Sequence, residues 1–322
     1  MVRVRLATFN LESLDDTPQG VALGDRVAAL RPLLLRLDAD ILCLQEVNGQ
    51  EAPQGRTLRA LDALIDETPY ARFGRVVTAG AHGPSDRHNL VVLARFPMEH
   101  RQVRHDLVAG PAYRMVTARP PATEAAAIAW DRPVQHVSLT IGRRRLDLVN
   151  LHLRAPLAAP VPGQKLSPFV WRSVGAWAEG YYLAAMKRAG QALEVRLLIE
   201  QLFAADLDAL IAVAGDFNAD LAGTPLRILV GDPADTGNPA LAAHRLHPVE
   251  DALPVERRYS VIHDGHRWLV DHILASPALR ARHERTALLN EALRDEVREA
   301  DAAYPGSFHA PMVAEFVIDD RP

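Results

Sequence analysis

The sequence predicts an α/β protein: two mixed β-sheets packed together and flanked by helices, a four-layer α/β sandwich. Three observations predict it. Strand-like segments outnumber helical ones along the chain. Some, such as Ile41-Leu42-Cys43-Leu44 and Ile211-Ala212-Val213-Ala214, are apolar throughout, as strands covered on both faces must be. Others alternate: Val2, Val4 and Leu6 are interleaved with Arg3 and Arg5, the period-two mark of a strand with unlike faces.

Taken in order, the first strand covers the alternating N-terminus. Apolar residues at helical spacing predict a helix over 26–37, with Asp25 as its cap. A buried strand follows at 40–44 and a short helix at 57–65. Strands are expected at 73–78, 89–94, 113–118, 134–141 and 145–151. The segment 193–207, apolar on one face, reads as a helix, and 210–214 as a buried strand. Further strands are expected at 259–263, 269–275 and 312–318. The Pro- and Ala-rich stretch 155–165 predicts an irregular loop. It leads into Phe169, Trp171, Trp177, Tyr181 and Tyr182, so a loop/helix insertion is expected around 155–192. Those aromatics suit packing, or a flap over a substrate, since functional loops run longer than connections require.

Hydrophobic residues make up 48% of the 322, enough for a substantial core. Site-like segments occur in both halves, so 1–322 reads as a single domain. Thirty-six Lys and Arg against 40 Asp and Glu give a net charge of −4. A sequence pI near 6.4 accompanies it, so no global basic field marks the chain as a nucleic-acid binder. Cys43 is the only cysteine, which excludes an intrachain disulfide. No signal peptide is read at the N-terminus and no apolar run reaches the ~18 residues of a membrane span. The expectation is a cytoplasmic protein, and no protein partner is inferred.

Six short segments carry the chemistry: Thr8-Phe9-Asn10-Leu11, Leu44-Gln45-Glu46-Val47, Asn150-Leu151-His152-Leu153, Gly215-Asp216-Phe217-Asn218, Val270-Asp271-His272-Ile273 and Ser307-Phe308-His309-Ala310. Most follow an apolar run and end on Asn, Asp, Glu or His. Phosphoester hydrolysis must neutralise charge at phosphorus, supply an in-line nucleophile and stabilise the leaving oxygen. Hard oxygen ligands for Mg²⁺ or Mn²⁺ do the first. Glu46 at a strand end is the first candidate, since a Glu is rarely buried without a partner. Alone, Asn10 reads as a turn or cap residue. Asp216 and Asn218 alternate to one side of an extended chain, suiting a base for water and an amide beside it, though an Asx-rich turn has the same pattern. His152 alone reads as a buried, satisfied histidine.

Together these segments, in this order, resemble the endonuclease/exonuclease/phosphatase superfamily over almost the whole chain. The resemblance implies a metal at Glu46 and Asn10, and water positioned by Asp216. It implies a phosphate contacted by Asn218 and Asn150, with His152 assisting the phosphate or leaving group. Asp271 is implied to orient His309, and His272 to point to the opposite face. One position departs: the family's terminal Ser-Asp-His reads Ser307-Phe308-His309 here. Phe cannot ligate a cation or accept a proton, and Asp301 lies nearby in sequence. Arg154, Lys165 and Arg172 read as solvated charges able to meet an anionic substrate, and 82–88 as a loop without specific chemistry.

The function expected is divalent-metal-dependent hydrolysis of a phosphoester, a phosphodiester first, by in-line attack of an activated water. A nuclease acting on DNA or RNA is the alternative, which net charge does not imply. A catalytically silent binding protein is the alternative of another class, because of Phe308.

Overall fold

The computed structural model describes residues 1–17, 20–80, 83–299 and 304–319. His82 and Asp301 lie outside the described residues.

Two six-stranded mixed sheets form the centre. The first contains β1 (Val2–Leu14), β2 (Ile41–Val47), β3 (Gly74–Val77), β4 (Asn89–Ala94), β11 (His283–Leu288) and β12 (Met312–Ile318), ordered β11-β12-β1-β2-β4-β3. The second contains β5 (Met98–Val103), β6 (Val134–Ile141), β7 (Arg144–His152), β8 (Leu210–Asp216), β9 (His247–Pro248) and β10 (Asp271–Ala275), ordered β9-β10-β8-β7-β6-β5. Each sheet has one parallel pair at its middle, β1 with β2 and β7 with β8, and the other neighbours run antiparallel.

The central strands are largely apolar because both of their faces are covered. Leu6, Ile41, Cys43 and Val92 of one sheet pack against Val137, Leu148, Ala212 and Ile273 of the other. Residues one step along face outwards. Ala7, Phe9, Leu42 and Leu44 meet Leu30, Leu34 and Leu61 of α1 (Leu23–Leu37) and α2 (Arg59–Ile65). Val149, Leu151, Ile211 and Val213 meet Val195, Leu198, Leu226 and Leu229 of α3 (Val174–Ala205) and α4 (Thr224–Val230). The layers therefore run helix, sheet, sheet, helix, as the patterning predicts.

Several boundaries move. α1 starts three residues before 26, so Asp25 lies in its first turn, not at its cap. The helix expected at 193–207 begins at Val174, capped by the Ser173 hydroxyl on Ala176 N, and takes in Trp177, Tyr181 and Tyr182. In place of a strand at 113–118 there is only the short Ala112–Tyr113 pairing with Ala126–Ala127. β5 (MEHRQV) and β11 (HERTAL) had no sequence signal: both are edge strands, and edges carry polar and charged residues that hide the apolar pattern. Among the described residues no helix is long and apolar enough to cross a membrane.

Candidate active site

Parallel neighbours end at the same edge of a sheet, and both parallel pairs end at the candidate residues. Asn10 pairs with Gln45 across β1 and β2, and His152 with Asp216 across β7 and β8. Antiparallel β10 begins at the same edge, so its first residue, Asp271, lies beside Asp216. His309 lies three residues before Met312, the first residue of β12, which pairs with Thr8. Topology alone thus collects residues from positions 10 to 309.

The chain turns sharply where it delivers these groups. Gly215 has φ +143°, and a Cβ there would sit 2.0 Å from the Leu151 carbonyl oxygen. Only glycine lets β8 pass so close to β7 and place Asp216 at its end. Glu46 (φ 58°), Asn218 (φ 49°) and His88 (φ 57°) are non-glycine residues in the left-handed region. Such conformations cost energy and concentrate at functional sites.

Asn10 bridges two carboxylates. Its Nδ2 donates to Asp216 Oδ2 (3.0 Å) and Glu46 Oε1 (3.3 Å), and its Oδ1 accepts from Glu12 N (2.9 Å). As placed its nitrogen orients the two acids and its oxygen faces the Glu12 amide. Glu46 Oε2 accepts from Ser13 N (2.9 Å) and Ser13 Oγ (3.1 Å). Asp216 accepts from Asn218 N (2.8 Å) and Asn218 Nδ2 (3.1 Å). Asn218 Nδ2 also donates to the Leu153 carbonyl (3.1 Å), so its donors hold Asp216 in place before any phosphate arrives. His152 Nε2 stands 3.3 Å from Asp216 Oδ2 and 3.7 Å from Glu46 Oε1. His309 Nδ1 lies 2.9 Å from Asp271 Oδ2, the expected pairing.

Asn150 sits elsewhere than the resemblance implies. It is fully buried between the sheets. Its Oδ1 accepts from Gln45 Nε2 (2.8 Å), while Nδ2 donates to Gln135 Oε1 (3.2 Å) and the Val91 carbonyl (3.2 Å). With both ends engaged it ties the sheets beneath the site. His272 lies on the face opposite Asp271, as expected, with Nδ1 on buried Glu250 and Nε2 on the Ala219 carbonyl.

The electrostatics follow from burial and neighbours. Burial, reinforced by the adjacent Asp271 charge, pushes Asp216 up to about 7. Burial would lower His309, but the Asp271 carboxylate, then Asp216 and Glu46, raise it to about 10. Burial and the positive charges of Arg132, His88 and His309 hold His152 well below the usual histidine range, so it is neutral. Burial opposes ionisation of Glu46, but His88, His309 and Arg132 outweigh it and lower its pKa.

Phe308 is buried. Its ring lies against Tyr304, centroids 4.8 Å apart, and its N donates to Glu12 Oε2 (2.6 Å). Ser307 Oγ anchors the segment by donating to the Asn10 carbonyl (2.8 Å). Glu12, whose pKa burial raises, therefore brings a carboxylate toward His309 and Glu46, a residue the sequence reading passed over. Arg132 and His88 were passed over too. His88 precedes an all-apolar strand, the mirror of the pattern that marked the other segments. Of the expected solvated cations Arg172 is exposed and Arg154 and Lys165 half-buried, and each also donates within the protein: Arg154 to Asp131 (3.0 Å), Lys165 to the Pro168 carbonyl (2.6 Å) and Arg172 to the Gly163 carbonyl (3.0 Å).

Two groups of donors are compact enough for a divalent cation: Glu46, His88 and His152, and Asp216, Asp271 and His309. Within each, the ligand atoms all lie within 4.8 Å of one another. Asp271 Oδ1 and the Nδ1 atoms of His88 and His152 are buried without a hydrogen-bond partner. Carboxylates with orphaned polar atoms fit such an ion. Beside the site opens a cavity of about 840 Å³ that reaches His309 and Asn218. Leu157, Tyr181, Trp268 and Val297 give it an apolar wall.

Residues 7–291 match the sequence profile of the Endonuclease/Exonuclease/phosphatase family. No curated protein matches at a significant level. Solved structures match along nearly the full length. Truncated Caenorhabditis elegans TDP2 is 15% identical, with 98% of each chain covered and a TM-score of 0.57. An endonuclease/exonuclease/phosphatase from Bacteroides vulgatus is 14% identical, with 99% of this chain and 100% of that one covered and a TM-score of 0.57. D. rerio TDP2, complexed with single strand DNA product, is 16% identical, with 98% and 99% covered and a TM-score of 0.53.

Proposed function

Because the chain belongs to the endonuclease/exonuclease/phosphatase family, we propose that it hydrolyses a phosphodiester by in-line attack of a water activated at Asp216. A divalent cation, Mg²⁺ or Mn²⁺ in the first instance, would be held at Glu46, where it would neutralise charge on the phosphoryl oxygens. The observation that carries the reading is the placement of Asp216, paired across the sheet with Asp271 and held by Asn10 and Asn218. A carboxyl with pKa near 7, its Oδ2 fixed by Asn10 and Asn218, is poised to take a proton from water at neutral pH. His309, charged at that pH and held by Asp271, supports negative charge growing on the phosphoryl group. Asn10 and Asn218 orient Asp216, and Asn150 holds the floor. Neutral His152 is a Lewis base facing Glu46 rather than a proton donor to phosphate.

The apolar cavity favours a diester with one apolar ester group, seated between Tyr181 and Trp268 with phosphorus at His309. Nucleic acid is the second reading, supported by the single strand DNA product in the D. rerio TDP2 structure. The retained Asp271–His309 pair argues against a silent scaffold. The test is turnover of bis(p-nitrophenyl) phosphate, expected with Mg²⁺ or Mn²⁺ and abolished by chelator. Full turnover in chelator would reject the cation, and no turnover with any divalent cation would favour the scaffold. Salt-dependent retention on DNA, with cleavage faster than that of apolar diesters, would favour the nuclease.

A further inference from the structure

We propose that the cation at Glu46 is bound by two imidazoles as well, His88 and His152. The site would thereby take a borderline transition cation such as Zn²⁺, Co²⁺ or Mn²⁺ in preference to Mg²⁺. The inference rests on the proposed cation site at Glu46 but changes its chemistry.

Geometry carries it. His88 Nδ1 stands 3.5 Å from Glu46 Oε2, and His152 Nε2 stands 3.7 Å from Glu46 Oε1. Donors each ~2.0–2.1 Å from one ion, at angles between octahedral and tetrahedral, lie about 2.9–3.4 Å apart. The two histidine-to-carboxylate spacings exceed that range by only a few tenths of an ångström, and the three donor atoms all lie within 4.8 Å of one another. Neither contact is a hydrogen bond that an ion would have to break. His88 Nδ1, the atom that faces Glu46, is buried without a hydrogen-bond partner. His152 is 2% exposed and aims Nε2 into the space between Glu46 and Asp216. An imidazole nitrogen left without a partner in a buried polar site, as His88 Nδ1 is, is a metal ligand or an unexplained cost.

The backbone makes the same point. His88 and Glu46 both hold left-handed φ, which an L residue adopts at a cost. His88 N donates to Asn48 Oδ1 (3.0 Å), which anchors its backbone. Glycine would suit such a φ without strain, so the imidazole is what the position gains. Two His and one carboxylate, with His88 and Glu46 partly exposed, form a three-ligand site with positions open to water and substrate. Mg²⁺, a hard cation that prefers oxygen and water, gains little from two imidazoles. The main force opposing the site is the positive charge of buried Arg132, which acts on both histidines. Glu46 and adjacent Asp216 offset it.

Metal-stripped protein is titrated with Zn²⁺ against a chromophoric chelator, with Mg²⁺ by calorimetry, and with Co²⁺ by its visible absorption, which reports nitrogen ligation. The expected result is Zn²⁺ and Co²⁺ binding at least 100-fold tighter than Mg²⁺. His88→Gly, which fits φ 57°, should fold and lower Zn²⁺ and Co²⁺ affinity at least 10-fold, with a weakened Co²⁺ band. His152→Gln should do the same. Equal transition-metal affinity in wild type and both folded variants overturns the nitrogen site. Mg²⁺-dependent hydrolysis with no Co²⁺ nitrogen signature overturns it too and leaves the phosphodiesterase reading standing. Tight, histidine-dependent Zn²⁺ binding without phosphodiester turnover under any cation supports the site and overturns the phosphodiesterase reading.

Discussion

Replacing Asp271 by Asn should move the alkaline limb of the pH–rate profile. In the wild type, Asp271 lies 2.9 Å from His309 and is the largest charge holding that imidazole up at about 10, against an ordinary value of ~6.5. At pH 8 a group titrating near 10 is about 99% protonated, whereas one near 6.5 is about 3% protonated. Losing the carboxylate thus removes roughly 30-fold of the charged form. Losing the orientation it gives His309 adds about another 10-fold. The expected fall in kcat/KM at pH 8 is on the order of 10²–10³. The sign follows from the state that works: activity needs the imidazolium, so it persists below the His309 pKa and is lost as pH rises through it. The wild-type limb should lie near pH 10, and that of Asp271→Asn about three and a half units lower, at the ordinary value, burial offsetting what Asp216 and Glu46 still contribute. The acid limb should also fall, because Asp271 contributes to raising Asp216. Initial rates on bis(p-nitrophenyl) phosphate from pH 5 to 10.5, with circular dichroism to show an intact fold, make the measurement. A folded Asp271→Asn protein with an unmoved alkaline limb would refute the assigned role of the pair.

Glu46→Gln should leave the fold intact, since an amide oxygen can still accept from Ser13, and should weaken cation binding at least 10-fold by calorimetry. Gly215→Ala forces a Cβ onto the Leu151 carbonyl and should cost on the order of 3 kcal/mol or more, read as a lowered denaturation midpoint. Phe308→Asp removes a ring buried against Tyr304 and should cost about 3–5 kcal/mol in stability. The folded fraction should nevertheless bind divalent cation more tightly, because a carboxylate is added beside Glu12; weaker binding with lost turnover would make Phe308 an adapted part of the site. Trp268→Ala should raise KM several-fold for diesters with an apolar group and leave kcat nearly unchanged, whereas an equal effect on all diesters would remove the cavity from substrate binding.

What could be read from the chain is what burial writes into it. Strands covered on both faces carry long apolar runs, so β2, β4 and β8 stood out, and the polar residues ending β2 and β8 marked the site edge. Edge strands β5 and β11 did not, because solvent permits charge there. Residue types gave the chemistry of Glu46, Asp216, Asp271 and His309, but side-chain direction was invisible. Asn150 shares a strand with His152 at the spacing expected for a common face, yet is consumed by Gln45 and Gln135. Asn10 presents nitrogen to the carboxylates, which only the Glu12 amide on its oxygen reveals. Glu12 and His88 escaped because left-handed backbone overrides strand alternation, and nothing local forecasts it.

The central claim is that water activated at Asp216 attacks phosphorus, with no covalent enzyme intermediate. Hydrolysis of bis(p-nitrophenyl) phosphate in ¹⁸O-water with divalent cation, followed by mass spectrometry of both products, tests it most directly. The account predicts one solvent ¹⁸O in p-nitrophenyl phosphate and none in p-nitrophenol, even in a single turnover with enzyme in excess. Label in the phenol, or single-turnover phosphate bearing unlabelled oxygen taken from the protein, would contradict it.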